Sequence, residues 1–265
     1  MSKFENLIVV DKGKTCSYAL KLMDKNKISR LLVVDDGQLI GIVTYLDITK
    51  ALNNPRKRKN LSNARIRVSS AMTKDIITAK PSSTTREIAE IMIKNKISSV
   101  IIEDNKNNSI NLITKTDLLK QALNSEVPVS MIYTKNAISV SQTDTVVSAR
   151  KIMEKNGIHR LLVVDKEDDA LSGIITEKNI AHALKLFRDL TADYSHPDIK
   201  LLKVSDFMKK DLKTLNSDVK IKDAAKLMLE NNISGIPVIE EDGNFGMVTK
   251  TDIVKGIADG LIFVE

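Results

Sequence analysis

The chain has 265 residues, a formal net charge of +7, 42% hydrophobic and 28% charged side chains. This balance is typical of a folded protein of one or two domains and excludes a largely disordered chain. No apolar run approaches the roughly 20 residues of a membrane-spanning helix, and the N-terminal residues lack the apolar core of a secretion signal. We therefore expect a cytoplasmic protein.

The single cysteine, Cys16, excludes an internal disulfide and a cysteine-based metal cluster. The positive charge favours anionic partners, which include nucleotides, nucleic acid and acidic protein surfaces. Aromatic residues make up only 3% of the chain, and this scarcity weakens any scheme in which successive bases stack on aromatic rings.

The chain is organised by internal repetition. One short motif recurs at 41–47, 111–117, 173–179 and 246–252, and each copy joins the end of an apolar strand to a threonine and then to Asp or Asn. The segments 6–23, 75–92, 136–153 and 211–228 align without a gap. The sequence therefore contains four copies of one structural unit.

Each copy predicts the same elements in the same order. A short strand at 7–9, 76–78, 137–140 or 212–215 precedes a helix with apolar residues at three- and four-residue spacing. A hairpin of two strands follows, and a closing helix is predicted at 45–52, 115–123, 177–186 and 250–258. The fold class is α/β (α+β), with four β-α-β-β-α repeats at 1–53, 68–124, 128–187 and 203–260. Because one repeat is too small to be stable alone, we expect pairing.

Three copies are preceded by a similar leading segment, at 68–73, 129–134 and 204–209. The first copy begins too near the N-terminus to have one. The second copy also differs at its motif, where Asn111 replaces the glycine that begins the other three.

The motif Thr-x-x-Asp at the start of a helix is also the pattern of a capping box. In that structure the threonine and the acidic side chain satisfy backbone groups of the first helical turn. The capping and binding interpretations are compatible, since a capped corner can still offer its carboxylate to a ligand.

The segments 98–102, 158–165 and 233–239, each followed by the threonine motif, resemble cystathionine beta-synthase (CBS) domains. The resemblance covers most of the chain. It implies that the repeats pair into two Bateman modules, 1–124 and 128–260. It also implies a disc-like arrangement similar to that of the gamma subunit of AMP-activated protein kinase.

The resemblance further implies binding of adenosine-containing ligands, namely AMP, ADP or ATP, with S-adenosylmethionine or NAD as alternatives and no required cofactor. In this family the Asp of the corner binds the ribose hydroxyls and the threonine lies near the phosphate. The implied corner residues are Thr44 and Asp47, Thr114 and Asp117, Thr176 and Asn179, and Thr249 and Asp252. The implied adenine-pocket residues are Leu7, Ile8, Ile76, Ile77, Ala137 and Ile138.

The same resemblance implies that each corner receives its phosphate-binding residues from the partner repeat. Asp117 would act with Ser29 and Arg30, and Asp252 would act with His159 and Arg160. Arginine offers a planar fork suited to phosphate oxygens. The partners expected for Asp47 and Asn179 carry no cation, and the Asn179 amide lacks a carboxylate's charge. We therefore expect the Asp117 and Asp252 sites to be best equipped for phosphorylated ligands and the Asp47 site to prefer a nucleoside or a less charged ligand. We expect the Asn179 site to be weak or empty.

A run of four basic residues comprises Arg56, Lys57, Arg58 and Lys59. Such a run is usually a solvated loop. Its functional alternatives are a phosphate clamp, a protein-docking loop or a nucleic-acid-binding arm.

No nucleophile–base pair, metal cluster or phosphate-binding glycine loop is evident in the sequence, so we expect a protein that is not an enzyme. The leading hypothesis is an energy- or metabolite-sensing regulatory protein that binds adenine nucleotides and modulates an unidentified protein partner. The alternative is a nucleic-acid-associated protein that binds through the basic run. Whether two discs pair into a homodimer stays open.

Overall fold

The structure, a computed structural model, describes residues 4–52, 66–104, 106, 108–190, 201–240 and 243–264, with the backbone alone at 188–190. This part of the chain contains twelve strands and eight α-helices. They repeat the order strand, helix, hairpin and closing helix four times, so the predicted β-α-β-β-α fold class is confirmed.

The elements have the following bounds. The first repeat contains β1 (Val9–Asp11), α1 (Cys16–Lys25), β2 (Arg30–Asp35), β3 (Gln38–Thr44) and α2 (Tyr45–Leu52). The second contains β4 (Thr78–Ala79), α3 (Thr85–Lys94), β5 (Ser99–Asp104), β6 (Ser109–Thr114) and α4 (Lys115–Gln121). The third contains β7 (Ser139–Ser141), α5 (Val146–Asn156), β8 (Arg160–Val164), β9 (Leu171–Thr176) and α6 (Glu177–Leu190). The fourth contains β10 (Leu215–Asn216), α7 (Ile221–Glu230), β11 (Gly235–Ile239), β12 (Phe245–Thr249) and α8 (Lys250–Ala258).

Each repeat forms its own three-stranded sheet, in which the middle strand pairs in parallel with the first strand and antiparallel with the third. The first strands begin two or three residues later than predicted. In the first repeat, pairing starts where Val9 meets Leu32 of the middle strand. The prediction placed the strand where the apolar residues begin, whereas a short parallel strand begins where its partner offers backbone groups.

The contacts divide the chain into two compact units. The first unit, which we call the even unit because it holds the second and fourth repeats, comprises Met1–Asn6, Ile77–Ala137 and Leu212–Glu265. The second, the odd unit, holds the first and third repeats and comprises Leu7–Ile76 and Ile138–Asp211. The predicted modules 1–124 and 128–260 stay predictions, because each of them takes residues from both units.

Each unit has its own hydrophobic core, to which the two repeats contribute matching residues. In the odd unit, Met23 and Met153 are buried together with apolar residues of the closing helices α2 and α6. In the even unit, Met92 and Met228 are buried with residues of α4 and α8. Burying these faces between two repeats removes apolar surface from water that a single repeat would leave exposed.

The leading segments lie across neighbouring repeats of the same unit. Three isolated β-bridges join the third strand of a repeat to a leading segment. They pair Ile42 with Thr73, Ile174 with Lys209, and Met247 with Thr134. A second bridge joins each segment to the residues before the repeat's first helix. We call these three stretches, 66–73, 127–134 and 202–209, the covering segments.

The covering segments explain three glycines of the repeated motif. A Cβ atom at Gly41 would lie 2.8 Å from the carbonyl oxygen of Thr73. At Gly173 and Gly246 the corresponding distance to the covering backbone would be 2.9 Å. A methyl group therefore does not fit beneath a covering segment without displacing it.

Candidate functional site

Every closing helix begins with the same hydrogen-bonded box. The N–H and the hydroxyl of Thr44 donate to Oδ2 of Asp47 over 2.9 and 2.7 Å, and the Asp47 N–H donates back to the hydroxyl over 3.3 Å. The Thr114–Asp117 and Thr249–Asp252 corners have full capping boxes. The capping-box interpretation is therefore confirmed. The role of these corners in ligand binding stays a prediction.

The box engages one carboxylate oxygen and leaves the other outside it. No described residue donates a hydrogen bond to Oδ1 of Asp47, whereas Oδ1 of Asp117 accepts one from the Lys120 ammonium over 3.1 Å. Lys120 is a cation near the corner that the sequence analysis did not consider. The corner thus holds an ionisable side chain in a fixed orientation while retaining an acceptor for another molecule.

The environment of Asp117 favours the ionised carboxylate. Partial burial raises the pKa of Asp117, but the hydroxyl and N–H of Thr114 and the ammonium of Lys120 together lower it below the ordinary value. Hydrogen bonds to the charged form of a carboxyl group act in this direction because protonation would weaken them.

The Asn179 corner presents different chemistry from the same backbone. Oδ1 of Asn179 accepts hydrogen bonds from the N–H and hydroxyl of Thr176, over 3.0 and 2.6 Å. Because an N–H can donate only to the amide oxygen, this pattern fixes the amide orientation and leaves the NH₂ group outside the box. A donor therefore stands where the three aspartate corners have a carboxylate oxygen.

Two lysines link the corners of the even unit. Lys115 donates through Nζ to the hydroxyl of Thr251 over 2.7 Å, and Lys250 donates to the hydroxyl of Thr116 over 2.9 Å. Each lysine is the first residue of its closing helix. The two hydrogen bonds are therefore equivalent, and an approximate two-fold axis relates α4 to α8. The two corners and two ammonium groups therefore form one polar cluster. The sequence analysis missed this exchange, although the identical tetrapeptide Thr-Lys-Thr-Asp at 114–117 and 249–252 pointed to it.

The corresponding positions of the odd unit form an asymmetric cluster around Asp24. This carboxylate accepts a hydrogen bond from the Tyr45 hydroxyl over 2.9 Å and lies 2.8 Å from the Lys178 ammonium and 3.2 Å from Nε2 of His182. Partial burial raises the pKa of Asp24, but the Lys178 and Tyr45 hydrogen bonds and the nearby His182 lower it overall. Burial and the adjacent Asp24 carboxylate raise the pKa of Tyr45.

The predicted phosphate-binding residues lie at the starts of β2 and β8 in the odd unit. Arg30 donates to the hydroxyl of Ser29 over 3.0 Å. Nδ1 of His159 lies 2.8 Å from a carboxylate oxygen of Glu177, so a partner that the sequence analysis did not assign orients its ring. Arg160 begins β8. Because Asp117 and Asp252 belong to the even unit, their assignment to these residues stays a prediction.

The six predicted adenine-pocket residues precede the first strand of a repeat. The carbonyl oxygens of Ile77 and Ile138 accept hydrogen bonds from Ile101 and Leu162 over 3.3 and 3.2 Å, which orients the backbone at this point. The side chain of Ile138 is 41% exposed, and Leu7, Ile8, Ile76, Ile77 and Ala137 are half-buried. These apolar side chains retain surface for a flat ligand, and their role stays a prediction.

The basic run at 56–59 lies outside the described residues. Within the described ranges, no group of three or more His, Cys, Asp or Glu side chains could hold a metal ion. The same part of the chain contains no helix with the length and apolarity needed to cross a membrane.

Comparison with known proteins gives a consistent match. The family model described as CBS domain matches residues 1–54, 68–124, 129–186 and 204–259. The uncharacterised protein MJ1225 of Methanocaldococcus jannaschii is 27% identical, with 96% of each chain covered. MJ1404 of the same organism is 28% identical over 96% of this chain and 60% of its own length. The crystal structure of MJ1225, a protein described as a proposed archaeal homologue of γ-AMPK, superposes on this chain with a TM-score of 0.82. The superposition covers 94% of this chain and 95% of MJ1225, at 25% sequence identity.

Proposed function

Because the chain belongs to the CBS domain family, we propose that it is a non-catalytic regulatory protein that binds adenine nucleotides or related adenosyl ligands at its threonine–aspartate corners. The observation that carries this proposal is the box at Asp47, Asp117 and Asp252. In each, one carboxylate oxygen is engaged with the threonine, so the side chain is oriented before any ligand arrives.

An oriented carboxylate suits the two hydroxyls of a ribose. An ionised oxygen accepts hydrogen bonds in charge-assisted fashion, which makes them shorter and stronger than neutral ones. Preorganisation adds affinity because less side-chain entropy is lost on binding. The lowered pKa of Asp117 keeps this carboxyl group ionised at neutral pH, as the role requires.

The cations of the even unit support a phosphorylated ligand. Lys115 and Lys250 begin closing helices, and Lys120 lies beside Asp117. An ammonium group near a phosphate provides electrostatic attraction in addition to the hydrogen bond. We therefore propose that AMP, ADP or ATP binds preferentially at the Asp117 and Asp252 corners.

Regulation would follow from a population shift. A nucleotide changes the contacts with a protein partner only if it binds one conformation more tightly than another. The ligand would act by stabilising the arrangement of repeats that makes the most contacts with its phosphates.

The chain supplies its own control for the test. Because Asn179 forms the box with Thr176, we expect Asp117→Asn and Asp252→Asn to retain the capped corner and to remove only the carboxylate acceptor. Calorimetric titration with AMP, ADP, ATP, S-adenosylmethionine and NAD would compare these variants with the wild type and with Asn179→Ala. We expect each aspartate variant to lose one site for phosphorylated adenosine and Asn179→Ala to bind as the wild type does.

Failure of all five ligands to bind the wild type would refute the proposal. Unchanged binding by both aspartate variants would instead show that ligand binds elsewhere. A thermal unfolding curve for each variant separates loss of binding from loss of the fold.

The basic run at 56–59 and the net charge of +7 support a second candidate function, association with nucleic acid. Binding through phosphates weakens steeply with salt because counterions are released. Replacing Arg56, Lys57, Arg58 and Lys59 by serine should then abolish binding of a random-sequence duplex. Binding that persists after this replacement would exclude the run as the contact.

A further inference from the structure

The first helix of the first repeat, α1, has an exposed face whose charged residues are all positive. Its members are Lys14, just before the helix, and Tyr18, Lys21 and Lys25 within it. Successive members are three or four residues apart, so their side chains share one face. All four are exposed, and Tyr18 is 46% exposed. The opposite face is buried and holds Cys16, Ala19, Leu20 and Met23. We call the exposed set the lysine face.

The other three repeats do not have such a face. The gapless alignment of the repeats places acidic residues at equivalent positions in all of them, namely Glu87 and Glu90, Asp144, and Asp223 and Glu230. The lysine face carries three positive charges and no negative one, whereas each equivalent set includes at least one acid. The positive face is therefore a property of the first repeat and not of the repeated fold.

The other first helices also neutralise cations within the helix. Each has an ion pair between residues four positions apart, namely Arg86–Glu90, Arg150–Glu154 and Lys226–Glu230. The one acid within α1, Asp24, is engaged by Lys178 and His182 of α6. Among the described residues, no carboxylate forms an ion pair with a lysine of the lysine face. Its charge is therefore available to an external anion.

Neighbouring groups extend the positive region at the start of α1. Arg67 is exposed and donates through Nη1 to the carbonyl oxygen of Gly13, which brings its guanidinium close to Lys14. The Lys14 ammonium lies 5.6 Å from the centroid of the Tyr18 ring, a distance at which the ring attracts the cation. The acid at this end, Asp11, accepts a hydrogen bond from the Gly13 N–H over 2.8 Å. An aromatic ring therefore lies within a row of cations.

We propose that the lysine face binds single-stranded nucleic acid. The proposal rests on the second candidate function, association with nucleic acid, and assigns a contact to α1. A row of ammonium groups matches a nucleic-acid backbone because each phosphate carries one negative charge. The helix rises about 10 Å between Tyr18 and Lys25. One strand of a duplex presents about three phosphates over that length, so the face is long enough to contact several.

The composition of the face favours nucleic acid over an acidic protein. Protein–protein interfaces are depleted in lysine, whereas interfaces with nucleic acid are much more positively charged. Tyr18 favours a single strand over a duplex, because unpaired bases stack on exposed aromatic rings. The adjacent Lys14 ammonium would bind a phosphate of the same strand. One ring serves one base, so the low aromatic content of the chain does not oppose a contact that is mainly electrostatic.

Fluorescence anisotropy with a labelled oligo(dT) of about 20 nucleotides tests this surface. The chain offers a matched control, because Lys151 and Lys155 of α5 stand at the positions of Lys21 and Lys25. The double variants Lys21→Gln/Lys25→Gln and Lys151→Gln/Lys155→Gln remove the same charge from equivalent helices. We expect the first to bind about 10- to 50-fold more weakly than the wild type at about 50 mM salt, and the control to bind within about twofold of it.

The salt dependence provides a second readout, which a merely structural role would not change. The logarithm of the affinity for a single strand falls with the logarithm of the salt concentration, with a slope of about −0.7 per neutralised phosphate. We therefore expect the slope of Lys21→Gln/Lys25→Gln to be shallower by about 1.4 and that of the control to be unchanged.

A neutral substitution tests the contribution of the ring. Tyr18→Ser introduces the residue found at the equivalent Ser148. We expect it to weaken oligo(dT) binding about fivefold or more, because a stacked base is lost. The salt slope should stay unchanged because no charge is removed. Equal affinity of Tyr18→Ser and the wild type would overturn the assignment to single strands.

The remaining outcomes separate this proposal from the function on which it rests. A wild-type protein that binds no nucleic acid would refute both. Binding that the two double variants retain, or lose equally, would refute the lysine face alone. Competition by polyglutamate as effective as that by oligo(dT) at equal charge would show that the face binds acidic protein. Thermal unfolding of each variant separates loss of binding from loss of the fold.

Discussion

The even and odd units are built from the same repeat but differ in the two residues after each corner threonine. In the even unit both copies have Lys-Thr, and their side chains exchange hydrogen bonds symmetrically. In the odd unit the copies have Tyr45-Leu46 and Glu177-Lys178, and Lys178 is paired with Asp24. One backbone corner therefore supports a pair of lysines in one unit, of which Lys250 is buried, and a half-exposed cluster centred on an acidic residue in the other. The first residues of the closing helix, more than the corner itself, decide which charged groups surround the corner.

The largest expected difference between the two units is in the affinity for a phosphorylated ligand. Replacing Lys115 or Lys250 by methionine removes an ammonium group beside a corner while keeping most of the side chain's apolar length. Since hydrogen bonds to charged groups contribute about 1.5–3 kcal/mol, we expect ATP affinity to fall about 10- to 100-fold. Affinity for unphosphorylated adenosine should change little.

Calorimetric titration of both ligands checks this difference between ATP and adenosine. Lys178→Met is the matched control from the odd unit, because its ammonium already pairs with Asp24. An equal loss of ATP affinity in all three variants would show that the two units do not differ in phosphate recognition.

A smaller effect is expected on the stability of the odd unit. Tyr45→Phe removes the hydroxyl that donates to Asp24 and leaves the buried ring in place. We expect the free energy of unfolding to fall by about 0.5–1.5 kcal/mol, the typical net contribution of one hydrogen bond, because Asp24 keeps its Lys178 and His182 partners. Urea unfolding measures it, with Tyr18→Phe at a 46% exposed position as the control. Equal stability of Tyr45→Phe and the wild type would show that the Asp24 cluster does not contribute.

The smallest effect is a pH dependence confined to Asp24. The pKa of Asp24 is lowered in the folded protein. Its ionised form therefore stabilises the fold fully at pH values above the pKa of an unfolded aspartate, which is about 4. That contribution disappears as the pH falls through the lower, folded-state pKa. The difference in unfolding free energy between the wild type and Asp24→Asn should therefore shrink below about pH 4. A difference that stays constant from pH 7 to pH 3 would contradict the assignment.

Local features of the fold could be predicted from the sequence. The closing helices α2 and α8 begin and end at the predicted residues, 45–52 and 250–258. The box at Thr249 and Asp252 involves residues three positions apart, so its pattern is visible in the sequence. The first strands were predicted less well, because β10 contains only two residues and depends on β11 for its pairing.

Non-local contacts could not be predicted in this way. Lys115 and Thr251 are 136 positions apart, and nothing in either copy alone indicates which repeat its side chain reaches. Asp24 shows the same limit. It lies at the end of a helix, where an acidic residue usually faces solvent, and its three partners come from two other helices. Side-chain partners of this kind depend on how two repeats pack, and the repeat pattern leaves that packing undetermined.

The burial of Cys16 beneath a covering segment has a practical consequence. Its side chain is fully buried, and its Sγ atom lies 3.7 Å from the carbonyl oxygen of Arg67 in the covering segment. Because the chain has no other cysteine, a thiol reagent can label the native protein only when this region opens. The labelling rate therefore reports how often the structure over Cys16 opens. Its change on adding a nucleotide would measure, without any engineered probe, whether ligand binding tightens the odd unit.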